Sequence, residues 1–453
     1  MGRKKESPVW TFADRLKGDK VVWIIVLMLF LLSFVCMFSS TSRLVKEDLS
    51  RIDMLGEHLF IAGLGLGVIL ILYFIKDIKW IRKFSAYGFV LSFVLLLLLT
   101  LRIKLPFLRA IEINGAYRIL QVPGIQIHVF EVVKVSMVMY LAWAMDAIKK
   151  GEIKWLNLSD QWKKNLLVYA PFLIVFVLIL IGSNSSAIIV GMVMFVVILL
   201  GGGNRADMFK LGLAGVLALS LCVGIYHISG GTAFKRIGTG ISRIFESTDY
   251  EKIYLETVRG SKENQKALDK IRQPISAKIA VREGGFFGKG PGQSTQRYVV
   301  PDISEDYIYS FIIEEYGVWG GILVIALYVS LLARGSIIVR NCGKDNFAKV
   351  AVAGLCILIS GQGLLHISVN VDIIPMTGQT LPLVSHGNSA FLCFCVAFGV
   401  ILSISRIASR RIDKEIMLAD PLVEMHESED RVKSDLDDLD AFESDIYEDR
   451  YEV

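Results

Sequence analysis

Residues 165–204 read NLLVYAPFLIVFVLILIGSNSSAIIVGMVMFVVILLGGGN, forty positions without a charge. A helix crosses ~30 Å of hydrocarbon with about 20 apolar residues, so this stretch is too long for one span. The small polar cluster Gly182, Ser183, Asn184, Ser185 and Ser186 divides it into two. Outward from it, apolar runs recur at Val21–Ser42, His58–Ile75, Phe84–Leu101, His128–Ile148, Leu211–Phe234, Tyr307–Ala333, Val350–Val371 and Gly387–Ser405. The run from His128 is the least typical, because it carries Lys134 and Asp146. The reading is an all-α polytopic integral membrane protein of ten transmembrane helices. A hydrophobic content of 53% and a mean hydropathy of +0.53 exclude a chain whose whole surface faces water.

The formal net charge of +5 conceals an asymmetry. Residues 412–453 hold 16 acidic and 4 basic residues, a net −12, which leaves +17 on the first 411. Basic residues in short connectors orient a bundle toward the cytoplasm. One alternating set of connectors holds 24 Lys and Arg and the other short set holds 7, which places both termini in the cytoplasm. The organisation is then a cytoplasmic lead (1–20), a ten-helix membrane domain (21–411) and an acidic, disordered cytoplasmic tail (412–453). A large extracytoplasmic loop (235–305) lies between helices 7 and 8. The first apolar run lacks a short h-region and a small-residue cleavage site, and reads as a span rather than a cleaved signal. Five of the six cysteines fall in spans and Cys342 in a cytoplasmic connector, so free thiols are expected; cysteines and histidines show no zinc-ligand spacing.

Function must come from polar residues that a scaffold does not need. Three places carry them. The end of the large loop and the helix after it read GGFFGKGPGQSTQRYVVPDISEDYIYSFIIEEYG (284–317), with five glycines in nine residues around Lys289, then Ser294, Gln296 and Arg297. Glycines let backbone amides approach a ligand and flanking cations suit a phosphate; the alternative is a flexible turn. Asp306 stands at the mouth of the eighth span, where an acid either caps the helix or does chemistry. Glu314 lies inside that apolar helix and needs a partner or a wet cavity. Eight residues of rise, ~12 Å, separate it from Asp306, too far for a paired acid and base on one bond, so a catalytic Asp306 acts as a single base. Glu131 and Lys134, one turn apart, form either a helix-packing ion pair or part of a cavity. Before the glycines, Lys266–Arg282 has the apolar spacing of an interfacial amphipathic helix starting near Pro274.

Together these residues resemble the SEDS family (FtsW, RodA, SpoVE) of peptidoglycan polymerases. The resemblance covers nearly all spans. It rests on 284–317, on VDIIPMTGQTLPLVSHGNS (371–389), on NGAYRI (114–119), on Glu131 with Lys134, and on Phe38–Thr41 closing the first span. The chain departs from the family pattern at HVFE (128–131), at the Ser/Asn cluster around Asn184, at Ile119, at His386 and at Asn388, which suggests a divergent lineage.

The resemblance implies polymerisation of lipid II into glycan strands, with undecaprenyl pyrophosphate as leaving group and Asp306 as general base. Lys289, Gly290, Ser294, Gln296 and Arg297 become substrate-binding candidates, joined by Arg118 or a divalent cation (Mg or Mn) as further sources of positive charge. It also implies a class B penicillin-binding protein as partner, with other divisome membrane proteins and no nucleic acid. The cytoplasmic lead and long tail incline the reading toward the division type, FtsW-like, in the inner membrane at the septum, over an elongation-type polymerase. Two other classes compete: a flippase with charge through the midplane of several spans, and a membrane scaffold that only positions a partner.

Overall fold

A hydrocarbon environment offers a backbone no partners, so an apolar run must close its hydrogen bonds within a helix. The computed structural model describes residues 17–40, 51–105, 108–113, 116–123, 125–154, 156–230, 252–257, 261–299 and 304–418, with the single positions 238 and 259. The lead before Lys17, Thr41, the motif start at Asn114-Gly115, much of the front of the large loop and the tail beyond Leu418 lie outside the described residues.

In chain order the helices are α1 (Lys20–Ser40), α2 (Arg51–Tyr73), α3 (Ile78–Thr100), α4 (Val129–Lys149), α5 (Asp160–Gly182), α6 (Asn184–Leu200), α7 (Arg205–Ile228), α8 (Lys262–Gly284), α9 (Ile308–Asn341), α10 (Asn346–Asn370) and α11 (Asn388–Leu418). All but α8 fall where the apolar runs lie. Eight are long and apolar enough to cross a membrane; the other two are α6, with 17 residues, and α4, with its charges. The chain is a multi-pass membrane protein. The long run breaks at one residue, Ser183, whose extended backbone (φ −160°, ψ 110°) ends α5 and whose Oγ accepts from the Ser186 amide to cap α6. Within α5, Asn165–Tyr169 forms a π-turn. Helices α4, α10 and α11 are the most buried; α11 packs on α2, α9 on α10, and α3 on α4.

Three expectations change. The chain is not all-α: 104–128 forms a four-stranded antiparallel sheet in sequence order, β1 (Lys104–Leu105), β2 (Leu108–Ile113), β3 (Ala116–Val122) and β4 (Ile125–His128). Its registers pair Ile111 with Ile119 and Leu120 with Ile127. The physical reason is legible afterwards, since β-branched stretches separated by Asn-Gly and Pro-Gly are hairpin signals. The amphipathic helix α8 starts at Lys262, where the Ser261 hydroxyl accepts from Asn264 N, and it carries Pro274 in its interior. The boundary placed at 411/412 falls inside α11, which runs to Leu418.

Candidate active site at the Asp306 end

The N-cap of α9 is Tyr307, which makes no side-chain cap bond. The Ser310 amide is taken instead by Asn370 Oδ1 from the end of α10, at 2.9 Å, and Asn370 Nδ2 donates to the Asp306 carbonyl at 3.1 Å. With helix capping done from another element, the half-buried Asp306 carboxyl faces the segment 371–387. There Gly378, at φ +63°, is held so that a Cβ would lie 3.8 Å from Asp306 Oδ2. The same segment is stitched to the residues before Asp306: Ser385 Oγ donates to the Glu305 carbonyl at 2.8 Å and His386 N to the Ser304 carbonyl at 2.9 Å.

A buried polar network carries this segment. Lys134, 1% exposed, directs its ammonium donors to Glu131 (2.6 Å), Gln362 (2.7 Å) and Gln379 (2.8 Å). Gln379 donates onward to Ser186 Oγ at the start of α6, Gln362 to the Thr380 carbonyl, and the His366 ring to the Gln379 carbonyl. The Glu131–Lys134 pair thus holds Gln379, the neighbour of Gly378, in place beneath Asp306. Gln362, His366 and Asn370 went unremarked in the sequence, although their spacing of four on α10 places three polar side chains on one face of an apolar helix. Arg118, half-buried on β3, is close enough to His128 to act on its charge. Burial holds His128 below the ordinary histidine range, Arg118 and Lys134 add to that, and Glu131 opposes it.

The glycine-rich segment is neither a flexible turn nor an open anion cradle. Helix α9 is interrupted at Gly317 (φ 69°, ψ −170°), which frees the carbonyls of Glu314 and Glu315. The amides of Lys289 and Gly290, which the sequence reading offered to a phosphate, donate to those carbonyls at 2.9 and 3.0 Å, and Val318 N donates to Gly285 O at 3.0 Å. The approach requires glycine. A Cβ at Gly284, Gly288 or Gly317 would collide with backbone atoms of the opposing segment.

Glu314, fully buried, has the partner that an acid inside an apolar helix needs. It accepts from Lys289 Nζ (3.0 Å), Ser294 Oγ (2.5 Å), Thr295 N (2.8 Å) and more distantly Gln296 N (3.4 Å), while Glu315 accepts from Ser39 Oγ (2.5 Å). Lys289 also pairs with Glu283; its partial burial works against the charge, but these carboxylates outweigh that and hold its pKa above the ordinary lysine range. All five loop residues assigned to substrate thus have partners within the segment or α9, Arg297 through its amide to Ser294 Oγ at 3.2 Å. Arg297 also reaches α1, where Nη1 donates to the Ser39 carbonyl at 3.0 Å.

Among the described residues no three His, Cys, Asp or Glu side chains converge as a metal site.

Residues 19–410 match the model of the FtsW/RodA/SpoVE family, described as cell cycle protein. A probable peptidoglycan glycosyltransferase FtsW of Coxiella burnetii is 25% identical over 409 residues, covering 89% of this chain and 98% of that protein. One from Caulobacter vibrioides is 39% identical over 134 residues, 30% of this chain and 34% of the relative. Among solved structures, a chain from a peptidoglycan synthase complex coordinating polymerization and crosslinking superposes with a TM-score of 0.60 at 21% identity, over 86% of this chain and 98% of that one. Family match and helical architecture agree over the same residues: the chain belongs to the FtsW/RodA/SpoVE family.

Proposed function

We propose that this protein is a peptidoglycan glycosyltransferase that polymerises lipid II at the outer face of the cytoplasmic membrane, with Asp306 as general base. The observation that carries the proposal is the placing of the Asp306 carboxyl over Gly378 while Asn370 caps α9. The backbone on either side of that carboxylate is held by two elements, α10 through Asn370 and the segment 371–387 through Ser385 and His386.

In the reaction, the C4 hydroxyl of an acceptor sugar attacks C1 of the lipid-linked donor and loses its proton to Asp306. The bond from C1 to the phosphate oxygen breaks on the opposite face, so the anomeric carbon inverts, and polyprenyl pyrophosphate leaves as an anion. Arg118 is the cation proposed to stabilise that departing charge, a half-buried arginine beside His128 at the start of α4. Lys289, Gly290, Ser294 and Gln296 are read as positioning residues. They lock the glycine-rich segment to Glu314 and Glu315 and so fix the start of α9.

The relatives named FtsW favour a division role at the septum over elongation. The resemblance to a chain from a complex that couples polymerization to crosslinking favours a class B penicillin-binding protein as partner. The acidic residues beyond Leu418 are proposed to meet a basic cytoplasmic division factor. A flippase needs charge in the middle of several spans, whereas the buried charges here (Asp19, Lys134, Asp146, Glu314, Glu315 and Arg406) gather toward the two ends of the bundle.

The test is polymerisation of labelled lipid II by purified protein with its partner. Asp306→Asn should lower the rate by about 10²–10⁴, the usual contribution of a positioned base, without changing purification behaviour. Equal polymer from both proteins would remove Asp306 as the base.

A further inference from the structure

Helix α10 closes in a Schellman turn. Asp372 N donates to the Val369 carbonyl at 3.1 Å and Ile373 N to the Ser368 carbonyl at 2.9 Å, with Asp372 in the left-handed region at φ +63°. Glycine or asparagine usually holds that position, because a side chain there strains the backbone. A carboxylate adds a second cost, since the carbonyl end of a helix is the negative end of its dipole. Asp372 breaks both rules at once. Among the described residues three non-glycines have positive φ, Arg102, Asp372 and Leu383, and two of them lie in the segment 371–387 that faces Asp306. Such strain persists only where the surroundings hold it.

The two strained residues of the segment are held differently. Leu383 is buried, and its neighbours are bonded into the bundle: the Tyr328 hydroxyl donates to the Pro382 carbonyl at 2.7 Å and Ser33 Oγ to the Val384 carbonyl at 3.3 Å. Asp372 and Ile373 are exposed. The Asp372 carboxylate is met by Lys278 of α8, whose ammonium stands 2.8 Å from Oδ2. Lys278 therefore reaches the segment from the large loop, not from the bundle. Its neighbours Ser276, Ala277 and Ala280 are buried, small residues that suit the packing of α8 on α9. Among the described residues this is the one ion pair between α8 and the segment 371–387. Gly378, opposite Asp306 Oδ2, lies six residues beyond Asp372. On its far side Lys134 fixes the segment through Gln379, and on its near side Lys278 ties it to the loop.

We propose that Lys278 and Asp372 are positioning residues for glycosyl transfer: their ion pair straps α8 to the end of α10 and fixes the exposed half of the segment 371–387, and with it Gly378 opposite Asp306. The proposal rests on Asp306 being the base. The two side chains are 43% and 56% exposed. A pair so placed is screened by salt and contributes little to stability. It sets a position without strengthening the fold, which accounts for an acid kept where glycine would relieve the backbone.

The experiment joins lipid II polymerisation to hydrogen exchange, both on the full-length protein in nanodiscs. Lys278→Gln and Asp372→Gly should each lower kcat about two- to fivefold, the size that the coupling of an exposed ion pair allows, with KM unchanged. Lys278→Gln/Asp372→Gly should be no slower than either single variant, because one interaction is lost in all three. Lys278→Arg should keep the wild-type rate. Asp372→Gly should unfold at the wild-type temperature or above it, which a purely structural role for the acid does not allow. Exchange needs no substrate: Lys278→Gln should exchange faster than wild type across 373–378, with 379–385 unchanged, and wild type should approach it at about 1 M salt, where the Debye length is about 3 Å. Unchanged exchange in Lys278→Gln overturns the strap. Faster exchange with an unchanged rate overturns the positioning role, as does a rate loss in Lys278→Gln that Asp372→Gly does not share. A wild type that makes no polymer counts against the glycosyltransferase assignment instead, and the exchange result alone then upholds or overturns the strap.

Discussion

Both ends of the bundle bury charge, but they use it differently. At the end opposite Asp306, charges tie helix to helix. Asp146 of α4, fully buried, takes Arg82 of α3 at 3.0 Å and Lys150 at 2.9 Å, and Arg82 also grips Glu152 with two bonds of 2.9 and 2.7 Å. Asp19, just before α1, takes Arg334 of α9 at 2.7 Å, and Arg406 of α11 lies 4.8 Å over the Tyr73 ring of α2. At the Asp306 end, charges tie helices to loops through amides and hydroxyls. Lys134 holds the loop residue Gln379, and Glu314 gathers Ser294, Thr295 and Lys289. Ion pairs between helices resist separation of the bundle. Directional bonds to loops fix where individual groups stand, which is the arrangement a preorganised site requires.

Breaking each end should therefore have different consequences. The largest effect is expected from Lys134→Met, which leaves Glu131 and two buried glutamines without their shared donor. We expect about 3–5 kcal/mol of stability to be lost, with polymerisation abolished, read by thermal unfolding in detergent and by the lipid II assay. Glu314→Gln should come next. It removes the charge that holds Lys289 but keeps acceptor capacity, so about 1.5–3 kcal/mol is expected together with a rate loss, because the start of α9 shifts. If Glu314→Gln destabilises without slowing the reaction, the positioning role of the glycine-rich segment is wrong.

Arg82→Gln, at the opposite end, should cost about 1–3 kcal/mol yet leave the rate per folded molecule unchanged. A rate loss there would erase the contrast between the two ends. The smallest effect is on pH. His128 is held low by burial, helped by Arg118 and Lys134, and His386 by burial against the pull of Glu57. Both rings are favoured neutral in the folded chain, so the unfolded chain binds protons first as pH falls through 6.5. Thermal stability should fall modestly from pH 7 toward pH 5.5, and less so in His128→Asn/His386→Asn.

The helices were legible because the cost of charge in hydrocarbon writes them into the sequence as uncharged runs, and the break at Ser183 follows from the small polar residues around it. The sheet at 104–128 was legible in principle, through the Asn-Gly and Pro-Gly turns, but a connector between spans is easily read as a loop. Asp306 stood out as an acid at a helix mouth, yet the residue that takes the Ser310 amide and holds the Asp306 carbonyl is Asn370, 64 residues away. The partners of Glu314 were not legible either. They lie about twenty residues upstream and reach it only because Gly317 interrupts α9, an event in the backbone that a helical pattern does not announce.

That interruption also limits how the protein can be recombined with its relatives. Gly284 and Gly288 on one side and Gly317 on the other form a tongue and its socket, with no room for a side chain at any of the three. Neither half can be exported alone. A chimera that cuts between them should misplace everything from Lys289 to Asp306, whereas one that moves 284–317 as a single cassette carries its own lock with it.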